Sequence, residues 1–355
     1  MTEDMVQLLT SRGDRTTHSS YSVDLTSDVA RRMYRDMVLT RRLDSEGIAL
    51  QRQGELCLWT SLRGQEAAQI GSAYALADTD YIFPSYRDHG VAIARRVDPL
   101  RFLRMLRGLS HGGWDPAEHN FHLYTLVIGA QVLHATGYAM GVQHEDAKTA
   151  VICYFGDGAT SQGDVNEAFN FAAVYNAPIV FFCQNNQFAI SEPNHRQTKV
   201  PIYKRADGFG MPGILVDGND VLATLAVTRA ALQRARAGEG PTLIEAYTYR
   251  MEGHTSADDP SRYRTAAEVD SWLQKDPIRR FDSYLKSLGW IDDIYCVDVR
   301  NEAEELAVTI RAQVRGMAAP DPVTMFDDIY VDAHPLVAEE RAQFIAEHRM
   351  STGVA

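Results

Sequence analysis

At 355 residues with 45% hydrophobic content, the chain has the composition of a globular protein with a full core, in one large domain or two ordinary ones. Its formal net charge of -12 argues against a nucleic-acid partner, and no apolar run approaches the ~20 residues of a membrane span. Cys57, Cys153, Cys183 and Cys296 form no CxxC pair, so neither a zinc site nor a disulfide framework is indicated and a cytoplasmic location is expected.

Residues 1–26 are polar, without the apolar core of a signal peptide, and read as a flexible tail. Ser27-Asp28 opens a helix that Val29, Met33, Met37 and Ile48 carry to Gln53, where Gly54 stops it. A second helix over 64–76 is rich in alanine and glycine, and a short strand over 80–83 delivers Pro84-Ser85-Tyr86-Arg87-Asp88-His89-Gly90 to a loop. Residues 108–122 read as an irregular loop whose His111, His119 and His122 match no metal-binding spacing. An apolar run from Leu126 leads into another helix.

The strand Val151-Ile152-Cys153-Tyr154-Phe155 stops at Gly156, which puts Asp157 in the crevice beyond its carboxyl end, where open α/β sheets bind ligands. A helix is expected from about Ser161, with Ala168, Phe169, Phe171, Ala172 and Tyr175 facing the sheet. The next apolar run, 178–183, stops in the same way at Asn185-Asn186. Neighbouring parallel strands then bring a carboxylate and a carboxamide to one rim, and these are oxygen ligands of the kind Mg²⁺ takes beside phosphate. A dinucleotide site fails on spacing, because Gly156, Gly158 and Gly163 do not make GxGxxG and no strand-ending acid follows for a ribose.

A strand over 213–216, a helix from Val221 to about Ala237 capped by 217–220, and a strand over 242–247 complete a strand and helix alternation. The fold class expected is α/β, a parallel sheet covered by helices on both faces. After Asp276-Pro277 come amphipathic helices, expected over 301–317 and 334–349, with 302–305 read as an acidic first turn. The expected division is 1–26, 27–275 and a helical extension 276–355.

Gly156-Asp157-Gly158, followed at Asn185-Asn186 by the amide pair, resembles the thiamine diphosphate fingerprint. With Leu62-Arg63-Gly64-Gln65-Glu66-Ala67, the Tyr86-Arg87-x-His89-Gly90 loop and the run Tyr249-Arg250 through Tyr263-Arg264, it resembles the alpha subunit of the decarboxylating component of 2-oxo acid dehydrogenase complexes over residues 39–264. The resemblance implies the thiamine diphosphate-binding fold, with thiamine diphosphate and Mg²⁺ as cofactors. It implies Asp157, Asn186 and the main-chain carbonyl of Phe188 as metal ligands, and Gly158 and Ala159 as backbone donors to the diphosphate. Tyr86 and Arg87 would bind the terminal phosphate. Leu126 and Ile128 would contact the pyrimidine, Ile128 as a wedge that folds the two rings together. Gln184 stands where relatives often carry Arg or Glu and is assigned at most a phosphate contact. His254 would face cofactor and substrate as the catalytic residue, with Asp258 and Arg262 ordering its loop. Thr255 sits where eukaryotic relatives have a phosphorylated serine, which by itself is no sign of regulation.

The chain has no room for a second cofactor-binding domain, so the resemblance implies a site shared with a beta subunit in an α₂β₂ heterotetramer. That assembly would pass its acyl group to the lipoyl domain of an acyltransferase partner. Residues 180–186, Ala189-Ile190-Ser191 and Ser256-Ala257-Asp258-Asp259 look like branched-chain 2-oxo acid members; Tyr86-Arg87-x-His89 and Val127-Ile128-Gly129-Ala130-Gln131 lean toward pyruvate or acetoin members. The branched-chain acid is the substrate chosen. A transketolase-type carboligase, which needs a second domain, and a non-catalytic scaffold subunit are the rival classes.

Overall fold

The computed structural model describes residues 4–110 and 112–352, and His111 lies outside them. The first helix, α1 (Ser27–Arg52), begins where the Thr26 hydroxyl accepts from the Val29 N–H and ends at Gln53, on the expected bounds. Then come α2 (Glu66–Ala73), β1 (Tyr81–Phe83), α3 (His89–Ala94), α4 (Pro99–Leu106), α5 (Pro116–His119), α6 (Ala130–His144), β2 (Val151–Gly156), α7 (Gly163–Tyr175) and β3 (Ile179–Asn185). A small antiparallel hairpin, β4 (Phe188–Ala189) and β5 (Glu192–Pro193), leads to α8 (Asn194–Gln197) and α9 (Ala206–Phe209). The chain closes with β6 (Gly213–Asp217), α10 (Val221–Arg236), β7 (Thr242–Tyr247), α11 (Ala266–Leu273), α12 (Pro277–Ser287), α13 (Asp293–Gly316) and α14 (Pro335–Thr352).

The main sheet has the order β1-β2-β3-β7-β6, with every pairing parallel. Both faces are covered, which is why β2 and β3 read as continuous apolar runs rather than alternating ones. Ile152, Tyr154, Val180 and Phe182 pack in one core cluster with residues of α1, α2 and α10. Cys153, Phe155, Phe181 and Cys183 pack in the other with Val132 and Ala135 of α6 and Val165 and Phe169 of α7. Gly156 pairs with Gln184, so β2 and β3 end side by side and release Asp157 and Asn186 at the same rim.

The tail expected over 1–26 is docked from Val6 onward. Val6 pairs parallel with Val216 at the open edge of β6, and Val6, Leu8, Leu9 and Val23 are buried. The Leu8 and Leu9 N–H groups both donate to Asp220 Oδ2 at 2.6 Å, and Arg280 donates to the Leu9 carbonyl. Each buried aliphatic side chain contributes about 1.5–3 kcal/mol before chain entropy is counted, and the polar residues around these few hid them in the composition. At the other edge Phe121 and Thr125 pair with Ile82 and Ser85, so neither side of the sheet is left open to another strand.

Other expectations shift. On α7, Ala168, Phe169 and Ala172 are buried as expected, whereas Phe171 and Tyr175 stack on each other at the surface. The C-terminal helix begins at Asp293, well before residue 301, so Glu302 and Glu304 lie inside it and pair with Arg35 and Arg42 of α1 instead of forming a first turn. No break in the core marks residue 276, because Phe281, Leu285, Val299 and Ile310 belong to the same cluster as α1. Among the described residues no helix is long and apolar enough to cross a membrane, and the cysteines are free thiols.

Candidate active site

The strand ends open into a cavity of about 250 Å³. Tyr86, Arg87, Ile128, Asp157, Gly158, Ala159, Gln184, Asn186, Phe188 and His254 all line it, so residues far apart in sequence converge as expected. Leu126 does not; it stands on the surface beside the cavity, and Thr125 takes the lining position. The volume lies below the roughly 300–1,000 Å³ typical of sites that enclose a small ligand, so this chain forms part of such an enclosure.

Positive charge dominates the interior. The Arg87 guanidinium donates to the Ser61 carbonyl, to the His254 carbonyl at 3.0 Å and to His254 Nδ1 at 3.2 Å. Arg250 approaches the same ring nitrogen at 3.4 Å and also donates to the Phe188 carbonyl at 3.1 Å and the Ile190 carbonyl at 2.5 Å. Neither arginine is in an ion pair among the described residues, so two buried guanidiniums share one space with no carboxylate in contact, and Asp157 and Asp258 act on Arg250 only from a distance. A diphosphate would supply the counter-anion, since charge-assisted bonds to a guanidinium fork suit phosphate oxygens. Burial first, then Arg87 and Arg250, lower the His254 pKa to about 3. The ring is therefore neutral, and because Nδ1 faces two donors its proton resides on Nε2.

The His254 loop is ordered differently from the sequence reading. Asp258 accepts from the His254 N–H at 2.6 Å and from the Tyr263 hydroxyl, while Arg262 is exposed and makes no ion pair among the described residues. Arg264 does the bracing, by donating to the carbonyls of Arg250 and Met251.

Asp157 is buried at the start of a 3-10 turn, Asp157–Ser161, and no cationic side chain touches it among the described residues. Its partner is an amide, because Gln197 Nε2 donates to Oδ2 at 3.0 Å. Burial pushes the carboxyl pKa up, and an unpaired buried carboxylate calls for a cation. The Asn186 amide accepts from the Phe188 N–H at 3.3 Å and donates to Gln65 Oε1 at 3.4 Å. The Phe188 carbonyl is already held by Arg250, which leaves one of its two lone pairs for a metal. Gln184 lines the cavity with both ends of its amide engaged, accepting from Gln69 at 3.0 Å and donating to Asp88 at 2.5 Å, so its capacity for a phosphate is one N–H.

Two lining amides are half-satisfied. Gln65 Nε2 and Gln131 Oε1 are buried without partners, one donor and one acceptor facing no protein group. Together with the acid and amide at the strand tips and the unpaired arginines, they make a donor set that fits a magnesium diphosphate attached to a ring bearing both donors and acceptors. Gly158 fits too, because a Cβ there would come within 2.7 Å of the Ala189 Cβ, and only glycine lets the turn approach the hairpin.

Residues 34–316 match the family model described as dehydrogenase E1 component. The chain belongs to this family. It is 46% identical to the 3-methyl-2-oxobutanoate dehydrogenase subunit alpha of Mycobacterium tuberculosis (strain CDC 1551 / Oshkosh) over 343 residues, which cover 96% of this chain and 94% of that protein. It is also 42% identical to the pyruvate dehydrogenase E1 component subunit alpha of Staphylococcus aureus (strain Mu50 / ATCC 700699) over 293 residues, 82% of this chain and 79% of that one. The E1 family and the parallel sheet agree with the fold and the family expected from the motifs. Gln65, Gln131 and Arg250 stood inside quoted motifs without an assigned part in holding a cofactor, and Gln197 was missing altogether. Arg250 stood inside the Tyr249-Arg250 signature without a role, whereas Gln197 lies in a polar stretch with no motif to mark it.

Proposed function

We propose that the chain is the alpha subunit of a branched-chain 2-oxo acid dehydrogenase, decarboxylating 3-methyl-2-oxobutanoate and its homologues with thiamine diphosphate and Mg²⁺ and passing the acyl group to lipoamide. The observation that carries this reading is a buried Asp157 with no cationic side chain in contact and two buried arginines with no carboxylate in contact, all lining one cavity. A metal-bridged diphosphate satisfies both at once.

In this reading Asp157, Asn186 and the Phe188 carbonyl hold the metal, and Gly158 and Ala159 present backbone N–H groups to the diphosphate. Arg87 and Tyr86 would hold its outer oxygens, while Arg250, whose N–H groups are engaged by Glu252, Phe188, His254, Ile190 and Tyr263, would add its charge. Ile128 would give an apolar wall to the cofactor rings. The chemistry that thiamine diphosphate supplies when bound is a carbon nucleophile and an electron sink for loss of CO₂. His254 keeps a hydrogen on Nε2 that would be donated to an anionic oxygen.

The partners follow from what the chain leaves open. Leu126, Val127 and Ile128, at 54%, 71% and 42% exposure, form an apolar rim beside a cavity too small to enclose the ligand, and a beta subunit in an α₂β₂ assembly would cover them. A lipoyl domain of the acyltransferase component would deliver the acceptor. Pyruvate or acetoin is the second reading, favoured by His89 in the Tyr86-Arg87-x-His89 loop.

The test is a decarboxylation assay with an artificial electron acceptor, using the chain co-expressed with its beta subunit. A higher kcat/KM for 3-methyl-2-oxobutanoate than for pyruvate is expected. The reverse order would move the assignment to pyruvate, and no cofactor binding in the pair would leave a scaffold subunit.

A further inference from the structure

Eleven residues beyond the amide pair, a side chain with no assigned role touches the buried acid of the cavity. Gln197, on α8, donates from Nε2 to Asp157 Oδ2 at 3.0 Å, and the same nitrogen reaches the Glu192 carbonyl at 3.3 Å. Both partners only accept, so the amide is fixed with its nitrogen toward the carboxylate.

The residue is held there by a clip. The Gln187 N–H donates to Asn185 Oδ1 at 3.0 Å, the Asn194 N–H to the Gln187 carbonyl at 2.9 Å, and Phe188 pairs with Pro193 across the hairpin. The clip lies directly on the metal turn, where Gly158 would meet Ala189 if it had a Cβ, and the same Cβ would lie 3.8 Å from Gln197 Oε1. One short segment thus carries the Phe188 carbonyl at one end and the Asp157 partner at the other. Asn194 brings a second amide near the same carboxylate, its Nδ2 buried without a hydrogen-bond partner.

We propose that Gln197 is a positioning residue for the metal site, holding one oxygen of the Asp157 carboxylate so that the other is turned to the cation. The inference rests on the reading of Asp157 as a metal ligand. A carboxylate ligand that loses its outer hydrogen bond rotates more freely, and removal of such a partner typically costs about 10- to 100-fold in metal affinity.

Gln197→Met keeps length and bulk while removing the donor, and Asp157→Ala is the control. Each variant, in complex with the beta subunit and stripped with chelator, is titrated with Mg²⁺ at saturating thiamine diphosphate, and then with thiamine diphosphate at saturating Mg²⁺, following tryptophan fluorescence. The expected result for Gln197→Met is a half-saturating Mg²⁺ concentration raised about 10- to 100-fold, with the thiamine diphosphate Kd at saturating Mg²⁺ little changed and the melting temperature of the stripped complex retained. Wild-type Mg²⁺ dependence in Gln197→Met, alongside loss of that dependence in Asp157→Ala, overturns this inference and spares the site. Equal weakening of both titrations also overturns it, since Gln197 would then only prop the hairpin. Unchanged Mg²⁺ dependence in Asp157→Ala removes the site assignment, and this inference with it.

Discussion

Arg250 shows how much a single side chain organises here. It ties the Phe188 and Ile190 carbonyls of the hairpin to the Tyr263 hydroxyl and to His254, all from a fully buried position. A lysine keeps the charge but cannot span those acceptors, so Arg250→Lys is expected to weaken thiamine diphosphate binding about 10- to 100-fold, the equivalent of one charged hydrogen bond. Calorimetric titration of the complex measures it. His89 gives a pH signature instead. It stacks between Trp59 and Phe102, with Nδ1 3.0 Å from the Tyr124 hydroxyl, and burial followed by the Arg87 charge lowers its pKa to about 3. The folded state therefore prefers the neutral ring, so its contribution is intact above the unfolded value of about 6.5 and is lost as pH falls from there toward 3, at up to ~1.4 kcal/mol per pH unit. Urea midpoints of His89→Gln should fall less steeply than wild type over that window, and parallel curves would contradict the assignment. Asp157, Asn186, Arg87 and His254 were legible because strand ends and dense motifs mark them. Gln197 was not, because only the β4–β5 reversal returns it to Asp157, and local pattern carries no signal for such a contact.

At the scale of elements, the strand and helix alternation over 151–247 was readable because fully buried parallel strands leave unbroken apolar runs. The N-terminal segment was not, since its few apolar residues have meaning only against an edge strand far away in sequence. Asp220 is the joint between them. It caps α10 through the Leu222 and Ala223 N–H groups, each at 3.0 Å, receives Leu8 and Leu9, and lies 3.5 Å from the Arg280 guanidinium. Asp220→Ala strands the buried N–H groups of Leu8, Leu9, Leu222 and Ala223, while Arg280 keeps its pair with Asp217 at 2.8 Å, so about 3–5 kcal/mol of destabilisation is expected. Limited proteolysis should then cut within residues 5–20 before any other segment. The α13 start was missed for a related reason, as Glu302 and Glu304 answer arginines of α1 rather than a helix end.

On the scale of the whole molecule, the sheet, its covered edges and the shared core leave one side unfinished. The rim Leu126-Val127-Ile128 carries apolar surface beside a partial cavity. Val127→Glu is expected to shift the co-expressed alpha and beta pair from a complex to separate subunits on gel filtration, with the fold of this chain unchanged by circular dichroism; an intact complex would place the interface elsewhere. The parallel sheet could be read from sequence, but the unfinished side could not, because Val127 looks like any buried helix entry until its 71% exposure is seen. The central claim is that an acid and an amide at adjacent strand tips hold one divalent ion. Its most direct test is the anomalous difference map of the alpha and beta complex crystallised with thiamine diphosphate and Mn²⁺ in place of Mg²⁺. A single peak within about 2.0–2.3 Å of side-chain oxygens of both Asp157 and Asn186 is the predicted result; a peak away from either residue, or none with the cofactor bound, would contradict it.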